Sequence, residues 1–364
     1  MRVCLVYDRM NKIGGAEQVL QSFHELYPQA VWYTSVWDKK RAPYSRDWVV
    51  HSSWLNKIPF LRTHHEWIPF LMPFVFESFD LREFDLVITI GSAESKGVIT
   101  TPSTLHLNYC LTPTRYLYSH KDEYLHSILH RRIGDILRKW DLVASTRPDV
   151  MIAISTQVKN RIKKYYNRDV DIIFPPVDTK KFVTSGKLDN WKTGIPNDYF
   201  LVVSRLVPYK KIDVLVQAAN IAKVNLVIIG DGSAANKLRD LAGPTVTFMG
   251  QVSDSELPGY YAHALAYLQA NEEDFGISMC ESLSSGRPVI AYGSGGALDI
   301  VTPGKNGILL KHNTAQVFAK ALSEFDTMSF VSADCIESVA RFDKSIWKQT
   351  IIERIASLWQ KTQM

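Results

Sequence analysis

IIFPPVDTKKFVTSGKLDNWKTGIPNDYFLVVS, residues 172–204, contains a break and a restart. An apolar run ends in Pro175 and Pro176, which stiffen the chain and remove two backbone donors, as suits a linker and not a central strand. A polar, structure-poor stretch from Thr179 to Asp198 follows, and then YFLVVS opens a new apolar strand. Upstream, VCLVY (3–7), AVWYTSV (30–36), LVITI (86–90), HLNYC (106–110) and VMIAIS (150–155) alternate with amphipathic segments. Downstream, VNLVIIG (224–230), TVTFMG (245–250), LAYLQ (265–269) and PVIAY (288–292) repeat the alternation. Apolar strands alternating with helices indicate parallel α/β sheets, so the chain is read as two α/β domains hinged near residues 174–198. The expected division is 1–174, 175–340 with a linker over about 175–198, and a terminal helix over 341–364. In that last segment Ile346, Trp347, Ile351, Ile355 and Leu358 share a helical spacing, which predicts packing across the domain junction.

Length and composition agree with two cores. A chain of 364 residues exceeds the usual single-core size, and 46% apolar content supplies both. The balance of 42 basic against 37 acidic residues is too mild to indicate a nucleic-acid partner, though it allows an anionic substrate or membrane surface. Cys4, Cys110, Cys280 and Cys335 lack metal or redox spacing and read as buried, reduced thiols of a cytoplasmic protein. The N-terminus has no signal-peptide pattern, and the best apolar run, IPFLMPFVF (68–76), is far shorter than the roughly 20 residues a spanning helix needs.

Open α/β sheets bind ligands beyond the carboxyl ends of their strands, so chemistry is sought in the loops there. Residues 272–296, EEDFGISMCESLSSGRPVIAYGSGG, place Glu273 before a predicted helix and Glu281 inside it. Their eight-residue offset corresponds to at most about 12 Å along a helix axis, a span that suits the two ends of a nucleotide sugar. Vicinal hydroxyls donate well to carboxylates, and the backbone N–H groups of Phe275, Gly276 and Ile277 at a helix start attract a diphosphate. By itself the same pattern reads more readily as a charged loop capping an amphipathic helix. In RLVPYKKIDVLV (205–216), Arg205 and Lys210 follow a strand, where fixed cations would stabilise a departing diphosphate without a metal. The alternative there is a solvated helix start. Gly14 and Gly15 open a helix after the first strand, serving either a phosphate or a tight turn of positive φ. Asp169 and Asp171, the one Asp-x-Asp pair, alternate along a strand near the linker and read as structural; His64–His65 lacks a third metal ligand. Residues 54–79 mix aromatics, aliphatics and prolines, and LHRRIGDILRKW (129–140) adds cations. Together they suit either a lipid headgroup layer or a buried irregular subdomain.

The elements GGAEQVL, YCLTPTRYLY, IIFPPVD, VVSRLVPYKKID, LVIIGDG, FMGQVSDSEL, EEDFGISMCESLSSGRPVIAYGSGGALDIV and GKNGILL occur in order over nearly the whole chain. Together they resemble the retaining glycosyltransferases of family four. The resemblance implies a GT-B fold, two Rossmann-like doubly wound domains facing an interdomain cleft, with the acceptor bound by residues 1–174 and the nucleotide-sugar donor by 175–340, and metal-independent hexose transfer without any cofactor. It implies that Glu273 holds the donor sugar, Glu281 the ribose, and Arg205 and Lys210 the diphosphate. It further places Gly15 near the phosphates and acceptor, and the backbone of Val252 at the base. VPYKKID, EEDFGI and TPTRY resemble GDP-mannose-dependent mannosyltransferases of bacterial surface-polysaccharide assembly, which act on lipid-linked acceptors. These imply a peripheral position on the inner face of the plasma membrane. Leu111 departs from that subgroup, which carries a histidine there, and His120 is the nearby residue that would substitute for it. A GT-B sugar-nucleotide epimerase and a catalytically silent, nucleotide-sugar-binding scaffold at the membrane are the alternative functions.

Overall fold

The computed structural model describes residues 1–12, 14–63, 68–119, 127–183 and 195–362. The chain divides into two compact units, residues 1–174 with 347–364, and residues 175–346.

The first unit is built on seven parallel strands: β1 (Val3–Tyr7), β2 (Val31–Thr34), β3 (Val50–Ser52), β4 (Leu86–Gly91), β5 (Leu105–Cys110), β6 (Val150–Ala153) and β7 (Asp171–Ile172). Their order is β3-β2-β1-β4-β5-β6-β7, so the winding reverses between β1 and β4. Every residue of β4 and β5 is buried, as expected of central strands covered on both faces. Register is tight across the centre, with Val3 opposite Leu86 and Tyr7 opposite Ile90.

The second unit carries β8 (Phe200–Val203), β9 (Leu226–Ile229), β10 (Val246–Gly250), β11 (Tyr267–Gln269), β12 (Val289–Tyr292) and β13 (Gly307–Leu310) in the order β10-β9-β8-β11-β12-β13. Its reversal falls between β8 and β11. Helix Ile212–Ala222 covers this sheet with Leu215, Val216, Ala218 and Ala219, all buried with Leu226, Ile228 and Phe318 in one core.

Two expectations need correction. Thr179–Val183 is a short helix inside the stretch read as structure-poor; Phe182 anchors it edge-on against Tyr261, with ring centroids 5.5 Å apart. Asp169 and Asp171 do not share a strand face: only Asp171 lies in β7, bonded to Arg354, while Asp169 pairs with Lys163 at 2.7 Å. The terminal helix Lys344–Thr362 buries Trp347, Ile351 and Ile355, with Trp347 edge-on to Phe23 at 4.7 Å and donating to the Tyr109 hydroxyl at 3.3 Å. Ile346 belongs to the expected apolar set but is exposed, and Leu358 is only half-buried. All four cysteines are buried, and none forms a disulfide.

Candidate nucleotide-sugar site

The reversal between β8 and β11 brings the loops after both strands side by side, which is where an open α/β sheet receives a ligand. Arg205 follows β8, exposed, with its Nη2 donating to the Tyr209 hydroxyl at 2.7 Å. Lys210 ends a single 3-10 turn, Pro208–Lys210, and Lys211 follows at φ 55, reversing the chain into helix Ile212–Ala222. This reversal turns Lys210 toward the loop after β11, where its Nζ donates to Glu273 Oε1. Lys210 and Glu273 are both largely buried, so this ion pair sits in a low-dielectric setting where electrostatic contacts are strong.

Glu273 is held from several sides. Gln269 Nε2 reaches its Oε1 at 3.4 Å, and the Tyr267 hydroxyl donates to Gln269 Oε1 at 3.0 Å. Behind Glu273 runs the loop after β12: Gly295 bridges Glu273, and the Gly296 N–H donates to the Glu273 carbonyl at 2.8 Å. A Cβ on Gly296 would lie 1.9 Å from the Phe275 carbonyl oxygen, and one on Gly295 would lie 2.2 Å from the Glu273 carbonyl oxygen. Only glycine permits this approach. The loop after β9 supports the Arg205 loop likewise, since a Cβ on Gly232 would sit 2.4 Å from the Leu206 carbonyl oxygen.

Phe275 is buried edge-on against Phe342, with centroids 5.2 Å apart. Gly276 takes φ 110 and caps helix Ile277–Ser284, its carbonyl accepting the Met279 N–H at 3.0 Å; a helix start leaves its first N–H groups without a carbonyl of the helix itself. Glu281 lies in that helix, only 5% exposed, and accepts from the Tyr261 hydroxyl at 2.8 Å. It is therefore not an open carboxylate, and a ribose would share it with Tyr261. Burial, reinforced by the Glu281 charge, pushes the Tyr261 phenol well up; burial and Glu273 do the same to Tyr267. Both phenols stay protonated donors at neutral pH. Val252 lies half-buried just beyond β10.

Arg205, Lys210, Val252, Glu273, Phe275, Gly276, Ile277 and Glu281 all belong to the second unit. Gly15 belongs to the first, as the opening residue of helix Gly15–Leu26. Neither Gly14 nor Gly15 takes a positive φ, so a strained turn does not explain that pair. His120, His64 and His65 lie outside the described residues. Leu111, in the histidine's place, is buried. Among the described residues no group of three or more His, Cys, Asp or Glu side chains is placed to hold a metal. Sequence reasoning missed Tyr261, Gln269, Gly295 and Gly296, although repeated glycines directly after a strand signal close backbone approach.

Residues 187–341 match the family model described as glycosyl transferases group 1. Over 109 residues the chain is 40% identical to a GDP-mannose-dependent alpha-mannosyltransferase of Mycobacterium tuberculosis, covering 30% of this chain and 29% of that protein. Over 175 residues it is 31% identical to a like-named protein of Mycolicibacterium smegmatis, covering 47% and 46%. The chain thus spans about half or less of the length of these curated relatives. The solved sucrose-phosphate synthase of Thermosynechococcus elongatus matches 99% of this chain and 100% of its own, with a TM-score of 0.77 at 16% identity. That likeness shows the fold, two parallel-sheet domains of the GT-B kind.

Proposed function

From a GT-B chain whose residues 187–341 match the model of glycosyl transferases group 1, we propose a retaining, metal-independent hexosyltransferase. It moves mannose from GDP-mannose to a lipid-linked saccharide acceptor of bacterial surface polysaccharide, on the inner face of the plasma membrane. The donor sugar would lie against Glu273, the diphosphate against Lys210, Arg205 and the N–H groups around Gly276, the ribose against Glu281 and Tyr261, and the base against the Val252 backbone. The bond from the anomeric carbon to diphosphate breaks as the bond to the acceptor oxygen forms on the same face, and the acceptor proton passes to the departing diphosphate. Charge builds on that leaving group, so a cation fixed in advance stabilises the transition state more than the ground state.

The observation that carries this proposal is the Lys210–Glu273 pair at the β8/β11 reversal. It presets a cation and a hydroxyl-accepting carboxylate side by side, and the diphosphate would share Lys210 with Glu273. The mannosyltransferase names of the relatives support the choice of donor. Turnover over a panel of GDP- and UDP-sugars tests the proposal; GDP-mannose is expected to lead, and failure of every donor to bind would remove it.

Membrane contact has support in the first unit. Phe70, Pro73 and Phe74 face Ile133, Ile136, Leu137 and Trp140 across an apolar trough of about 220 Å³. Phe74 is 66% and Ile136 68% exposed, and Arg131, Arg132 and Lys139 stand exposed on the same helix, Ile128–Ala144. Exposed aromatics beside cations suit an anionic lipid surface. No helix of the described residues is long and apolar enough to cross a membrane.

A further inference from the structure

Strand β11 lies between β8 and β12 in the middle of the second sheet, where both faces are covered and an apolar composition is expected. One face agrees: Leu268 and Ala270 are buried in a single core with Leu215 and Ile228. The other does not. Tyr267, Gln269, Asn271 and Glu273 recur at every second position along β11 and the loop beyond it, the spacing that puts strand side chains on one face. Tyr267, Gln269 and Asn271 are only 2%, 6% and 5% exposed.

Hydrogen bonds run along this row and fix the direction of each side chain. A carboxylate only accepts, so the Gln269 atom that reaches Glu273 Oε1 at 3.4 Å is the amide nitrogen. The same nitrogen donates to the Asn271 side-chain carbonyl, and the Asn271 amide donates to the Glu272 backbone carbonyl at 3.1 Å. The Gln269 carbonyl therefore faces Tyr267, whose hydroxyl donates to it at 3.0 Å. Burial and the Glu273 charge keep that phenol protonated. Every polar atom of the Gln269 side chain is thus committed, and turning the amide over would set a buried carbonyl against a carboxylate. Three buried polar side chains in a central strand cost more than an apolar row, and what a fully satisfied network provides in exchange is rigidity.

We propose that Tyr267 and Gln269 are positioning residues for the donor sugar: they hold the Glu273 carboxylate with Oε1 turned inward and Oε2 turned to the sugar hydroxyls. Lys210 and Gln269 both donate to Oε1. A lysine on its flexible stem follows a carboxylate as it rotates, whereas an amide locked at its other end does not, so Gln269 fixes the rotation. The row serves the sugar and not the nucleotide, since Arg205, Val252 and Glu281 lie outside it. The inference rests on the donor-site reading of Glu273, through which Gln269 and Tyr267 act.

The test compares GDP, which lacks the sugar, with GDP-mannose in the full chain. Gln269→Leu is expected to leave GDP affinity near that of wild type and to lower kcat for GDP-mannose turnover about tenfold or more, the worth of one hydrogen bond to a charged group. Tyr267→Phe, which releases the amide, should lower kcat severalfold at the same GDP affinity. Gln269→Glu keeps the shape and gives a readout that lost packing does not move. The new carboxyl can stand in for the amide only while protonated, and the neighbouring Glu273 charge holds that proton to higher pH than usual. Turnover by this variant, relative to wild type, should therefore fall steadily from about pH 5 to about pH 8. If Gln269→Leu does not fold, this pH profile decides. Folded Gln269→Leu with kcat within about twofold of wild type would overturn the inference. So would a Gln269→Glu profile parallel to wild type, or GDP affinity falling as much as turnover in both Gln269 variants. These results fall on the inference alone, with wild-type turnover intact. A wild type that turns over no donor in the panel of GDP- and UDP-sugars would end the donor reading, and this inference with it.

Discussion

Gly296→Ala tests whether the loop after β12 sets the position of Glu273. The backbone at Gly296 has φ −65 and ψ −17, which alanine adopts without strain, so the whole effect is steric. The added Cβ would lie 1.9 Å from the Phe275 oxygen and 2.4 Å from its Cα. A comfortable carbon–oxygen contact is about 3.3 Å, so the strands of chain must part by roughly 1.4 Å. The Gly296–Glu273 backbone bond of 2.8 Å would break, and Glu273 would shift with its loop. Displacing a positioning group by about 1 Å costs on the order of 100-fold in rate. Overpacking of this kind destabilises by about 1–3 kcal/mol, leaving the chain folded. The assay is kcat for donor turnover at saturating nucleotide sugar, beside urea unfolding. Gly304→Ala is the control: its φ of 77 carries a conformational penalty, but no atom lies within 4 Å of the new Cβ, so rate should hold. A folded Gly296→Ala protein with kcat within threefold of wild type would refute the reasoning.

Tyr261→Phe removes the hydroxyl that donates to buried Glu281, and should lower unfolding free energy by about 1.5–3 kcal/mol while weakening GDP binding. A change below about 0.5 kcal/mol with GDP affinity intact would count against it. Burial lowers His106 to about 3, and the nearby Arg168 and Arg147 charges add to this. The folded chain thus refuses a proton that the unfolded chain accepts near pH 6.5; the stabilisation is complete above that pH and is lost as pH falls toward 3. His106→Gln should therefore shrink the stability difference between pH 7 and pH 5 by about 2 kcal/mol in urea titrations. Phe74→Ser with Ile136→Ser should reduce co-sedimentation with anionic vesicles at low salt tenfold or more, since each buried apolar side chain contributes about 1.5–3 kcal/mol. Unchanged sedimentation would remove the trough from the membrane proposal.

The two-sheet fold was legible because its central strands are near-continuous apolar runs, as in LVITI and VNLVIIG. Strand β3 escaped notice because VHS is a short, partly exposed edge segment with no apolar run. At the site, Glu273, Lys210 and Glu281 could be picked from chemistry and order, but not their partners. Lys210 meets Glu273 across 63 positions through a left-handed residue at Lys211, and Tyr261 meets Glu281 from a preceding helix. Neither contact follows any helix or strand period.

The most direct test of the donor site is GDP-mannose turnover and affinity in the wild type and in Lys210→Ala. Lys210 is proposed to act on the leaving diphosphate, so turnover should fall about 100- to 1,000-fold, with donor affinity changing much less. Equal losses in both, or full turnover without the lysine, would contradict the account.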